Sequence, residues 1–165
     1  MGDICANRRL NVIESRDFKS ISDLILHDDI STGLLSQNAD KTLLKNESEE
    51  RLDNERILYY LMKIDDENAG FCLFLNLSHG DPNDINEGCY LADIGILKKF
   101  RGKLGFELAK IALNKFLNEI KPERLFGIIK IENKKSLYFA MQIGFKLINK
   151  DDVHYFLEVN NGKCN

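Results

Sequence analysis

Tryptophan is absent from this 165-residue chain, proline occurs twice and histidine three times. The four cysteines, Cys5, Cys72, Cys89 and Cys164, stand far apart and form no Cys-x-x-Cys pair. Cys72 and Cys89 sit inside apolar runs, where a free thiol behaves as a small core residue. His27, His79 and His154 are equally scattered, so no metal-ligand spacing appears. A reduced protein without a metal is therefore the expectation, and the cytoplasm its expected location. No apolar run approaches the length of a membrane span, and the polar start lacks the apolar core of a signal peptide. Met1-Gly2 would suit myristoylation, but Ala6 stands where that motif requires Ser or Thr.

What is present fits an ordinary folded domain. Apolar residues make up 44% of the chain and charged residues 30%. At this length a core can form without disulfides or metal, and one domain across residues 1–165 is expected, with 160–165 a frayed tail. The net charge of −3 conceals an uneven distribution. Residues 1–97 carry 9 basic against 19 acidic residues, whereas residues 98–150 carry 13 against 4. A basic half suited to a polyanion thus follows an acidic half suited to a cation. The opposing reading is that the two halves neutralise one another across the fold.

Periodicity gives the order of elements. A short strand over 8–14 precedes a helix through Phe18, Ile21, Leu24 and Ile25, with Ser15 as its expected N-cap. Residues 36–56 are polar and acidic and suggest a second, solvated helix, capped by Asn38 or Asp40. Ile57–Ile64 and Gly70–Leu77, separated by Asp65-Asp66-Glu67-Asn68, read as a hairpin. A loop over 78–88 containing Pro82 leads into a strand from Tyr90 to Leu97. Leu104, Leu108, Ala112, Phe116 and Ile120 recur every four residues, predicting a helix over 103–120 that Pro122 terminates. Leu125–Ile131 is the next strand. Asn133 opens a helix ending at Gly144, and alternation of Val153, Tyr155, Leu157 and Val159 marks a half-buried last strand. This order predicts an α/β fold with a mixed, mostly antiparallel central sheet flanked by helices.

Arg101-Gly102-Lys103-Leu104-Gly105 lies between the 90–97 strand and the 103–120 helix. A basic, glycine-containing turn there exposes backbone N–H groups at the positive end of a helix dipole. Such a turn is an anion cradle, most naturally for phosphate. A basic capping turn without ligand is the bland alternative.

Taken together, the order and these residues resemble the GNAT (GCN5-related N-acetyltransferase) superfamily. Its signature Q/R-x-x-G-x-G/A falls at the same strand-to-helix turn, and Ile96-Leu97-Lys98-Lys99-Phe100-Arg101-Gly102-Lys103 matches the usual lead-in. A second signature, N-x-x-A/S before a helix ending in Gly-Phe, is met by Asn133, Ser136, Gly144 and Phe145. The resemblance implies a GNAT-like acyl-CoA N-acyltransferase fold, acetyl-CoA as co-substrate and an amine as acceptor. It places the pyrophosphate on Arg101, Gly102, Lys103, Leu104, Gly105 and Phe106. The pantetheine arm would lie along the Ile94 and Ile96 backbone beside Asn133 and Ser136. Two departures accompany the match. The turn either lacks one glycine or is one residue shorter: Leu104 stands where the second conserved glycine falls, with Gly105 out of register. Ala140 occupies the position at which many relatives carry a tyrosine that protonates the departing thiolate, and Tyr138 is about 200° round the helix from it.

Acetyl transfer from a thioester needs a neutral amine, a polarised carbonyl and close positioning of the two. Asp93 and Glu87 are the nearest carboxylates to accept the amine proton, Tyr90 is a candidate proton donor, and His79 lies in the preceding loop. Each has a duller alternative as a solvated, hydrogen-bonded or packing residue. The acidic half hints at a cationic acceptor: a small polyamine-like compound, an aminoglycoside, or a protein amine. The rival reading is a non-catalytic CoA-binding or protein-interaction module of the same fold. A nucleic-acid surface is disfavoured, because no aromatic platform interleaves with Lys98, Lys99, Arg101, Lys103, Lys134 and Lys135. No membrane partner is expected, and a homodimer is compatible with the resemblance.

Overall fold

A computed structural model describes residues 8–30, 57–77 and 88–159. The expected 38–56 helix, the 78–87 part of the loop and the 160–165 tail lie outside the described residues. The elements run β1 (Leu10–Glu14), α1 (Phe18–Leu26), β2 (Ile57–Ile64), β3 (Glu67–Asn76), β4 (Cys89–Ile96), α2 (Lys103–Ile120), β5 (Arg124–Lys130), α3 (Lys134–Ile143), β6 (Lys146–Lys150) and β7 (His154–Val159). The strands form one seven-stranded sheet in the order β1-β2-β3-β4-β5-β7-β6. Every neighbouring pair is antiparallel except β4 and β5, so the sheet is mixed and mostly antiparallel, as the element order predicts.

Helix α2 covers one face. Phe116, fully buried, stacks on Phe74 at 3.8 Å between centroids and meets Tyr60 and Tyr90 edge-on at 6.4 and 5.1 Å. These rings come from β2, β3 and β4, so this aromatic cluster clamps the helix across the middle of the sheet. α1 covers the other face of the same strands. Its Phe18 meets Tyr59 edge-on at 6.4 Å, and Ile30, just beyond it, packs over Gly95.

Local chemistry corrects the expected boundaries in three places. The cap of α1 is Asp17, whose Oδ1 accepts the Ser20 N–H at 3.1 Å, while Ser15 Oγ accepts the Asp17 N–H at 3.0 Å. The hairpin turn shrinks to Asp65-Asp66, both at positive φ (50° and 67°), which aspartate tolerates and a two-residue hairpin requires. β6 is an additional strand beyond the expected order. Every residue of Lys146–Lys150 is exposed, so this edge strand carries no apolar alternation from which to read it.

Candidate functional site

Two parallel strands, β4 and β5, part company partway along the sheet. β4 pairs with β3 from Tyr90 to Ile96, but with β5 only at Cys89, Leu91 and the Tyr90 between them. From Ala92 onward the β5-side edge of β4 has no strand partner among the described residues. A strand edge without a strand neighbour presents backbone N–H and C=O groups that a ligand can engage. Because β4 and β5 run parallel and each is followed by a helix, both strand-to-helix turns lie at the open end of this V. The N-termini of α2 and α3 therefore flank it.

At the first of these turns, Lys98–Phe100 forms a 3-10 turn and Gly102 is the N-cap of α2, at φ 92° and ψ −145°. A Cβ on Gly102 would meet nothing within 4 Å, so the demand for glycine is conformational. Phe106 N–H is the first to find its helical partner, Gly102 O at 3.0 Å. The preceding amides belong to the turn in which a helix has no internal acceptors. Arg101, Gly102 and Lys103 are exposed, Leu104 and Phe106 half-buried and Gly105 buried. Gly105 serves helix-to-strand packing: a Cβ there would stand 2.9 Å from Phe100 O and 3.4 Å from Ile96. Arg101 turns inward, with Nε donating to Ile96 O at 3.0 Å and Nη2 to Asp29 O at 2.5 Å. Lys99 pairs with Glu67 and lies over the Phe100 ring.

At the second turn, Asn133 caps α3, its Oδ1 accepting the Ser136 N–H at 3.1 Å. That leaves its amide NH2 as a donor for a ligand. Phe139 stacks on Phe106 at 5.1 Å and Tyr138, 62% exposed, meets the same ring edge-on at 6.4 Å. These contacts bring the Asn133–Ser136 turn and the Arg101–Phe106 turn to one place. Ala140 stands near the end of α3, its carbonyl accepting the Phe145 N–H at 3.0 Å in the glycine-terminated cap.

The candidate acid–base residues are dispersed. Tyr90 is 1% exposed in the aromatic cluster under α2, at the closed end of the V, and burial raises its phenol pKa. Asp93 is half-buried, paired in register with Leu73, on the sheet face opposite α2. After burial itself, its charge is the second influence raising the pKa of the buried Cys72 thiol. Glu87 and His79 lie outside the described residues. The face that carries Asp93 also carries an apolar hollow of about 390 Å³, lined by Leu77, Leu91, Phe126, Ile128, Ile148 and Phe156 among others. Leu91 and Phe126, its wall on one side, are the last paired residues before the strands diverge. Asp29, which grips the cradle turn, was not legible in the sequence: its two partners are 69 and 72 residues away. Among the described residues there is no group of three or more metal-ligating side chains, and no helix is long and apolar enough to cross a membrane.

No family model and no curated protein matches the sequence. The likeness lies in the fold. A GNAT-family acetyltransferase from Bacillus anthracis superposes with a TM-score of 0.67 at 14% identity, over 94% of this chain and 96% of that one. The ribosomal-protein-S5-alanine acetyltransferase from Vibrio fischeri gives 0.66 at 11% identity, over 96% and 95%. The spermidine N-acetyltransferase from Vibrio cholerae, in complex with CoA and spermine, gives 0.64 at 14% identity, over 94% and 96%.

Proposed function

We propose that this chain, which has the fold of the GNAT acetyltransferases, binds acetyl-CoA and transfers the acetyl group to a primary amine. The observation that carries the reading is the V between β4 and β5, with the N-termini of two helices at its open end. The first-turn amides of α2, from Gly102 to Phe106, suit the pyrophosphate, with Lys103 adding charge. The pantetheine arm would then run along Ile94 and Ile96, taking the backbone bonds that β5 does not, with Asn133 and Ser136 beside it. Residues 1–165 would form one such domain.

In the direct transfer, the lone pair of the neutral amine attacks the thioester carbonyl carbon. Backbone N–H groups on the β5-side edge of β4, beyond its pairing with β5, stabilise the oxyanion. The C–S bond then breaks as the carbonyl re-forms, and CoA leaves as thiolate. The ammonium proton passes to Asp93, directly or through water, and the thiolate takes a proton from solvent. Asp93 suits this role because it sits on β4 beside the divergence and on the face away from α2. Tyr90, buried under α2, fits a packing role better than proton donation. The acceptor would approach over the Asp93 face, where the apolar hollow suits the carbon part of the amine. A cationic acceptor, small or on a protein, follows from the acidic composition of residues 1–97.

One observation favours a second reading, a non-catalytic CoA-binding module: Ala140 supplies no acid on α3. Thiol release from acetyl-CoA, followed across a panel of amines, separates the two. Amine-dependent release that Asp93→Asn slows by about 10²-fold or more supports the enzyme and its base. Tight CoA binding with no release for any amine supports the module.

A further inference from the structure

The cradle turn is braced from outside its own sequence. The 3-10 turn has no side-chain cap at Leu97, and Gly102 at the start of α2 has no side chain to supply one. Asp29 does this work from beyond the end of α1. Its Oδ2 accepts the Lys98 N–H at 2.8 Å, and its main-chain oxygen accepts Arg101 Nη2 at 2.5 Å. The second arm of the guanidinium, Nε, reaches Ile96 O at 3.0 Å. The beginning and the end of the turn are thus tied to one residue, and the end also to the strand before it.

Asp29 is itself well fixed. Its N–H donates to His27 Nδ1 at 3.2 Å, and the following Ile30 N–H donates to His27 O at 2.9 Å. Ile30 is 4% exposed, and its Cγ2 would stand 2.8 Å from a Cβ on Gly95, so this segment sits directly on the glycine of β4. A carboxylate beside an anion site would by charge alone oppose the anion. Its position is explained by the N–H it holds.

We infer that Asp29 and Arg101 form a clamp that positions the phosphate cradle, with Arg101 acting through its two-armed fork rather than as a charge on the ligand. The inference rests on the acetyl-CoA reading given above. Asp29 is a positioning residue: it touches Lys98 and Arg101, and through them fixes where the Gly102–Phe106 amides point. Lysine in place of Arg101 keeps the charge but cannot span two carbonyls, because only the planar guanidinium presents donors in a fixed fork.

Titration of the full chain with CoA, and with pantetheine (the same thiol arm without phosphates), tests the clamp in Asp29→Ala, Asp29→Asn and Arg101→Lys. Asp29→Ala and Arg101→Lys should each weaken CoA binding about 10-fold, the worth of a charge-assisted bond. Asp29→Asn should stay within about twofold of the parent, since its amide oxygen still accepts the Lys98 N–H. Pantetheine binding should be unchanged in all three. Should Asp29→Ala fold poorly by circular dichroism, Arg101→Lys decides the matter. Parent-like CoA binding by Arg101→Lys overturns the clamp, as does tighter binding by both Asp29 variants or an equal loss for pantetheine. Failure of the parent chain to bind CoA at all removes the acetyl-CoA reading and the clamp with it. A parent that binds alongside indifferent variants removes the clamp alone.

Discussion

At φ 92°, Gly102 holds the backbone in a region that an L side chain resists, although open space surrounds the place where a Cβ would stand. Gly102→Ala should therefore destabilise the fold by about 1 kcal/mol through backbone strain and also weaken CoA binding. Thermal unfolding with and without CoA checks both effects. At the far end of the sheet, Arg124 grips Glu158 with two bonds, Nε to Oε1 at 2.7 Å and Nη2 to Oε2 at 3.1 Å. That grip holds the Glu158 carboxyl below its ordinary value of 4.5. A depressed acid contributes stability that is fully present above its unfolded-state pKa and is lost as pH falls through the folded value. The thermal midpoint should thus decline below about pH 4.5 more steeply in the parent than in Glu158→Gln, which lacks the titrating pair. Parallel profiles from pH 7 to pH 3 would show that the pair contributes nothing.

Single elements show how far the sequence reveals the structure. The 103–120 helix was legible to the residue, because five apolar positions at four-residue spacing stand between Gly102 and Pro122. Asn133 and Gly144 bracket α3 as cap residues do, with Oδ1 on the Ser136 N–H and positive φ at the end. Asn133→Ala should cost about 1 kcal/mol of stability by exposing the first turn of α3, and it should also weaken CoA binding. Phe116→Ala should cost about 3–5 kcal/mol, since it empties the centre of a four-ring cluster, and chemical denaturation measures this directly. β6 was illegible for the opposite reason: an exposed edge strand has no buried face to pattern. Ser15 has a capping propensity similar to that of Asp17, so the sequence does not distinguish them; its Oγ accepts the Asp17 N–H, and Asp17 caps the helix. Asp29 and the inward turn of Arg101 could not be read at all, because they depend on contacts about seventy residues apart.

At the scale of the whole molecule, the topology assembles the candidate site from turns that the sequence identified singly. The proposed phosphate cradle and the Asn133–Ser136 turn are about thirty residues apart in sequence. They meet because β4 and β5 are parallel neighbours, and because Phe106 and Phe139 stack between the two helices. The divergence of β4 from β5 cannot be seen in composition or periodicity, since strand pairing is a property of the folded sheet. The acidic residues invoked for the acceptor fall in good part between 31 and 56 and between 78 and 87, outside the described residues. The proposed cationic acceptor rests on that charge and on the apolar hollow on the sheet face that carries Asp93. The proposed acyl-donor site stands on the divergence of β4 from β5 and on the first turns of α2 and α3. Its most direct test is thermal unfolding of the full chain across a titration of acetyl-CoA. At about a hundredfold over the dissociation constant, binding adds about 2.7 kcal/mol, and the midpoint should rise by several degrees along a saturable curve. A midpoint that does not move at millimolar acetyl-CoA would contradict the account at its centre.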